Sequence, residues 1–223
     1  MCLYRVERAD MAIQSLAPGV CQFGAFGRKL TDGLIFFGRW LRDPAGMASI
    51  APSGQALAEL ITRDIGEGSA PVLELGSGTG AFVPALLARG LREADLVLVE
   101  RDACLARRLA IRYPGATVLA CDAAAIPAGD LAPPFAAAVC GLGLLNLRAE
   151  ALEAILLAVF ARMAPGAAMY LFTYGRRCSV PDVILDRLSL VADRRGRTWR
   201  NLPPATVYRL RRRLEPTASR VAA

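Results

Sequence analysis

The residues best suited to chemistry begin at Glu74-Leu75-Gly76-Ser77-Gly78-Thr79-Gly80, directly after the apolar run Pro71-Val72-Leu73. A short buried strand runs here into a glycine-rich turn, and a helix-compatible segment follows from Ala81. Gly76, Gly78 and Gly80 permit positive φ and close approach of the backbone to a ligand. The N–H groups of this turn, those of Ser77 and Thr79 included, and the next helix N-terminus then face a negative group. Two acids follow at matching places. Glu100 ends the run Leu96-Val97-Leu98-Val99, placed to accept from both hydroxyls of a ribose. Asp122, with Ala123 beside it, follows the run Thr117 to Cys121, placed to accept from an adenine amino group. An acid about 20 residues after the turn also suits a dinucleotide. A dinucleotide loop reads G-x-G-x-x-G and makes room for a pyrophosphate, whereas this turn reads G-x-G-x-G behind Glu74.

The elements that must position these groups alternate along the chain. Strands are expected at 70–75, 95–100, 116–121, 135–140 and 167–173. Helices are expected between them at 81–89, 102–112 and 149–163. Ser53 is placed to cap an earlier helix running to about Ile65. Pro165-Gly166 marks the turn into the fifth strand, and a helix near 181–187 precedes two last segments, 188–199 and 205–213. Strands alternating with helices at this spacing imply an α/β fold with a doubly wound, mostly parallel sheet. The last two segments would add an antiparallel hairpin. The ligand groups then converge at the carboxyl ends of the first strands, where open α/β sheets bind ligands.

At 223 residues the chain fits one such domain with a modest appendage. It is 54% hydrophobic and 21% charged, enough for a large core and against disorder over most of its length. No window approaches ~18 uncharged apolar residues, so no transmembrane helix is expected. Arg5, Glu7, Arg8 and Asp10 interrupt any secretory signal. Six cysteines lie far apart, without a C-x-x-C pair, and histidine is absent, so no metal site is expected. Cys121 and Cys140 end strands and read as small buried residues, and reduced thiols are the expectation. The formal charge of +7 is carried almost wholly by arginine, Lys29 being the only lysine. Such a charge suits an anionic partner, either nucleic acid or an acidic membrane surface.

Residues 1–50 form a separate N-terminal segment ahead of the 51–223 domain. From Phe23 the apolar positions recur as Phe23, Phe26, Leu30, Leu34, Phe37 and Leu41, one face of a helix over about 23–42. Arg28, Lys29, Arg39 and Arg42 lie off that stripe, and Phe36 and Trp40 widen it. A basic amphipathic helix with Phe and Trp lies in the headgroup plane of an anionic membrane. The same pattern also suits an ordinary helix folded over the ligand cleft as a lid.

The E-x-G-x-G-x-G turn resembles that of class I S-adenosylmethionine-dependent methyltransferases, which implies a Rossmann-like fold and that cofactor, with S-adenosylhomocysteine as product. Glu74 would offset the positive charge of the cofactor's methionine end. Further landmarks resemble the soluble bacterial phospholipid N-methyltransferases that convert phosphatidylethanolamine to phosphatidylcholine. These are Phe36-Phe37 with Trp40-Leu41, Ile50-Ala51-Pro52-Ser53, Gly141 to Asn146, Phe172-Thr173-Tyr174-Gly175 and Trp199 to Ala205. The resemblance covers roughly residues 34–213. Two departures are Gly54, where a second serine is usual, and Gly143, where proline is usual.

This resemblance implies successive methyl transfers to the amine of phosphatidylethanolamine, at the inner face of the cell membrane, by a peripherally bound cytoplasmic enzyme. Tyr174 and Asn146 would form the acceptor site. Tyr174 could hydrogen-bond the amine and hold methylated cations against its ring; the other reading is a strand-end tyrosine packed on the core. Asn146 could orient the nitrogen lone pair, or cap the helix that follows. Arg176, Arg177 and Arg200 would meet the lipid phosphate. No obligate protein partner is expected. Alternatives are another amino lipid, such as ornithine lipid, and an rRNA adenine as acceptor. Adenine methyltransferases place an N/D-P-P-Y-like tetrad after the fourth strand to stack on a flipped base. This chain has Gly141 to Asn146 there instead, and Asn201-Leu202-Pro203-Pro204 reads as a turn.

Overall fold

The computed structural model describes residues 53–127, 134–201 and 203–213. The 1–50 segment lies outside the described residues, and with it Arg28, Lys29, Phe36, Phe37, Arg39, Trp40 and Arg42. Among the described residues no helix is long and apolar enough to cross a membrane.

Short apolar runs become the inner strands because both of their faces are covered, as parallel sheets require. Every residue of β1 (Val72–Leu75) and β2 (Leu96–Val99) is buried. β3 (Thr117–Leu119), β4 (Phe135–Cys140) and β5 (Met163–Thr173) continue the parallel part. β6 (Leu190–Thr198) and β7 (Ala205–Arg212) form the antiparallel hairpin. The sheet order is β3-β2-β1-β4-β5-β7-β6. The hairpin is therefore not simply appended: β7 lies between β5 and β6 and runs antiparallel to both.

Helices cover both faces. α1 (Ser53–Ile61), α2 (Val83–Leu87) and α3 (Ala103–Arg112) pack with Val72, Leu98 and Val139 in one core. α4 (Ala149–Phe160) and α5 (Asp182–Arg187) pack with Leu73, Leu75 and Leu171 in the other. The chain winds to one side of β1 for β2 and β3, then to the other side for β4 and β5. The switch falls between β1 and β4, which opens a crevice at their carboxyl ends.

Several boundaries differ from expectation for local reasons. α1 ends at Ile61, short of Ile65. Thr62 Oγ1 donates to Ala58 O at 2.7 Å, and the Arg89 guanidinium donates to Glu59 O at 2.9 Å and Arg63 O at 3.3 Å. α4 stops at Phe160, where Arg162 donates to Ala158 O at 2.6 Å and Pro127 O at 3.0 Å, and also to Ile126 O. β5 starts at Met163 rather than 167. Pro165-Gly166 is carried inside it as an irregularity, with the pairing register shifting and Gly166 at φ +80°. Cys121 and Cys140 are buried free thiols, and burial pushes that of Cys140 up to about 12. Cys178 is also free; Cys104 is disulfide-bonded, so reduced thiols do not extend to it.

Candidate functional site

The turn after β1 is built as its glycines predict. Gly76, Gly78 and Gly80 have φ of +62°, +56° and +81°, values that strain other residues. Space adds a second requirement at Gly76, where a Cβ would lie 2.4 Å from Leu142 Cδ2. Leu142 thus occupies the room that a side chain at position 76 would need. Gly141 keeps the two strand ends together: its N–H donates to Leu75 O at 2.8 Å, and a Cβ there would meet Gly76 O at 2.8 Å.

Glu100 ties the turn to the next strand and helix. Its Oε2 accepts from Gly78 N–H at 2.8 Å and its Oε1 from Asp102 N–H at 2.9 Å. Asp102 in turn caps α3, accepting from Cys104 N–H and Leu105 N–H. Half-buried and facing the cleft, Glu100 keeps lone pairs for two further donors. Asp122 is exposed at the cleft rim. It accepts from Ala124 N–H at 2.9 Å and lies 3.7 Å from the Arg101 guanidinium. Ala123 is buried beside it.

These groups line one cleft with Gly76 and the apolar side chains of Leu142, Leu147 and Ile155. Carboxylates at one wall and apolar side chains at the other suit a ribose and a flat base. Ile155 was not legible as lining because helical spacing alone does not say which turn faces a cleft, and Arg101 and Leu147 lie on connections that carry no period. Other predicted residues serve the turn itself. Ser77 is buried, and its hydroxyl donates to Glu74 O at 3.2 Å. Gly80 packs under the ring of Tyr113. Thr79 Oγ1 is buried without a hydrogen-bond partner.

Glu74 lies beneath the turn, only 1% exposed, and its Oε2 has no hydrogen-bond partner. Burial pushes its carboxyl up to about 8; Glu100 adds to the rise and the Phe82 backbone N–H opposes it. A buried carboxyl without a partner ionises only where a cation meets it. That preference, beside a turn whose Gly76 lines the cleft, fits a nucleoside bearing a positive charge.

A second recess adjoins the first and shares Leu142 and Gly143 as its wall. Asn146 and Tyr174 both line it, so the two expected acceptor residues come together, 28 positions apart in sequence. Asn146 does not cap α4: Arg148 holds the capping position, and no side chain caps there. Gly143 has φ −75°, within the range that proline takes. Tyr174 is edge-on to Phe172, with ring centroids 5.6 Å apart. Burial raises its phenol well above the usual tyrosine range, with Asn201 opposing through a side-chain hydrogen bond. The turn expected at 201–204 is present in its described residues, and Asn201 Nδ2 donates to Pro203 O at 2.7 Å. Its contact with Tyr174 was not read from sequence, though an Asn-x-Pro-Pro turn after a strand end could have suggested a polar partner. The recess holds about 40 Å³ and opens to the surface.

The three candidate phosphate arginines do not share one place. Arg176 and Arg177 are exposed just past Tyr174. Arg200 faces a groove between α1 and the end of β6, with Arg197 and Trp199. Trp199 is 73% exposed, and the Arg197 guanidinium stacks 4.6 Å from its ring centroid.

No family model matches the chain. An ornithine lipid N-methyltransferase of Singulisphaera acidiphila is 32% identical over 85 residues, which are 38% of this chain. The matched region spans 44% of that relative's length, less than half of it. Solved structures share the fold at low identity. The 1,6-didemethyltoxoflavin-N1-methyltransferase of Burkholderia thailandensis, solved with S-adenosylhomocysteine, has a TM-score of 0.59 at 15% identity. It covers 85% of this chain and 94% of that one. A TehB-like S-adenosylmethionine-dependent methyltransferase of Corynebacterium glutamicum has a TM-score of 0.58 at 17% identity, covering 81% and 97%. NodS of Bradyrhizobium japonicum gives 0.55 at 16%, covering 80% and 97%. The chain has the Rossmann-like class I methyltransferase fold.

Proposed function

We propose that this protein is an S-adenosylmethionine-dependent N-methyltransferase acting on the primary amine of a membrane amino lipid. The observation that carries the reading is the pair of recesses sharing Leu142 and Gly143, one lined by Glu100 and Asp122, the other by Asn146 and Tyr174. Such adjacency would let a donor methyl and an acceptor nitrogen meet where the two recesses join. The cofactor supplies a methyl group on a sulfonium. Glu100 receives the ribose hydroxyls, Asp122 and Ala123 border the base, and Glu74 balances the cationic methionine end.

The acceptor must arrive as a neutral amine. With no histidine in the chain, the ammonium gives its proton to water before it is enclosed, a loss favoured by desolvation and by repulsion from the sulfonium. Tyr174, held neutral by burial, hydrogen-bonds the amine and later meets methylated cations with its ring. Asn146 orients the lone pair. Arg176, Arg177 and Arg200 offer cations to an anionic lipid surface, which is the expected partner. Gly141 to Asn146 stand where adenine methyltransferases carry a base-stacking tetrad, which weighs against the rRNA reading.

Sequence landmarks favour phosphatidylethanolamine, and the partial relative favours ornithine lipid. Radiolabelled S-adenosylmethionine with vesicles of either lipid separates them once products are resolved by chromatography. Label in mono-, di- and trimethylated phosphatidylethanolamine supports the first, and label in ornithine lipid alone supports the second. Label in neither, with S-adenosylhomocysteine still bound, overturns the proposal.

A further inference from the structure

We infer that Ser179 is a further polar contact to the acceptor nitrogen, its hydroxyl oxygen receiving one of the amine's two N–H bonds and Asn146 or Tyr174 the other. This rests on reading the second recess as an amine site. Ser179 lines that recess beside Asn146 and Tyr174, from the loop between β5 and α5. It is 5% exposed, and its Oγ has no hydrogen-bond partner. On that side Thr173 Oγ1 already accepts from Gly175 N–H at 3.0 Å, and Tyr174, which also bonds Asn201, has only part of its hydrogen-bonding capacity left for the amine. Nor can the loop easily turn the hydroxyl out to water. Val180 is 1% exposed in the core, and Tyr208 OH donates to Arg176 O at 2.6 Å, holding the segment at both sides. A hydroxyl buried without a partner destabilises the free protein, so a ligand that satisfies it recovers that loss on binding.

A hydroxyl offers two acceptor lone pairs, which match an amine N–H. Its own proton stays in place, so Ser179 orients the nitrogen and takes no proton. Each transfer replaces one N–H by a methyl group. A neutral primary amine has two N–H bonds to offer, a secondary amine one, and a tertiary amine none. The contribution of Ser179 is therefore confined to the first two transfers.

Ser179→Ala tests this with unmethylated, monomethylated and dimethylated lipid supplied separately. The expected result is a KM raised about fivefold to tenfold for the first two acceptors and unchanged for the third. S-adenosylhomocysteine affinity should be unchanged, and the variant should melt no lower than the parent, since an unsatisfied group has been removed. Ser179→Thr, which keeps the hydroxyl, should restore the lower KM. An equal change for all three acceptors, no change for any, or a fall in melting temperature overturns the inference while leaving the amino-lipid reading intact. A parent protein that methylates none of the three overturns both.

Discussion

Glu74 is the residue on which cofactor and stability meet. An isolated glutamate ionises near 4.5, whereas in the fold burial raises it to about 8. Between those values the native state holds a proton that the unfolded chain has released. Stability of the free protein should therefore fall as pH rises through this window. Glu74→Gln removes the charge that must be desolvated, and denaturant melts at pH 5 and pH 8 should differ less than in the parent. A cationic ligand end reverses the preference and favours the carboxylate. S-adenosylmethionine binding should then release a proton, visible in calorimetry as a heat that varies with buffer ionisation enthalpy, and Glu74→Gln should lose that release. The sequence made Glu74, Glu100 and Asp122 legible because each follows an apolar run at a strand end. It did not reveal Ser179 or Asn201. These act through loops that fold back across the sheet, and no periodicity reports such a return.

The strands and helices were legible in kind and order because their apolar periods are strong. Their ends were less so. Thr62, Arg89 and Arg162 terminate helices through hydrogen bonds to carbonyls, Arg89 from a distant segment that no local pattern encodes. The position of β7 inside the sheet was likewise not read, although Ala205 to Tyr208 of β7 are all buried while β6 is mostly half-buried. The junction between β1 and β4 gives the clearest prediction at this scale. Gly141→Ala places a methyl 2.8 Å from Gly76 O and 3.3 Å from Leu75 O, both backbone atoms that cannot swing away. The strand ends must part, which should cost about 1–3 kcal/mol of stability. Thermal melts should show the loss, and S-adenosylhomocysteine affinity should drop further than the melt alone accounts for, because Gly76 moves with the strand end.

For the whole molecule, a charge of +7 bears on how it meets its substrate. Arg176, Arg177 and Arg200 lie on loops at the carboxyl ends of β5 and β6, the edge on which the acceptor recess also sits. Sedimentation with phosphatidylglycerol vesicles should show binding that weakens as salt is raised from 50 to roughly 500 mM, with less binding to neutral phosphatidylcholine. Arg176→Ala with Arg177→Ala should weaken vesicle binding while S-adenosylhomocysteine affinity holds. The order of the sheet also constrains how the molecule is made. β6 is synthesised before β7, yet among the described residues its strand neighbour in the sheet is β7. Among these strands β6 therefore waits during translation for β7 to emerge and slot in beside β5. The turn carrying Asn201 onto Tyr174 joins these two strands, so that contact closes only once β7 is in place.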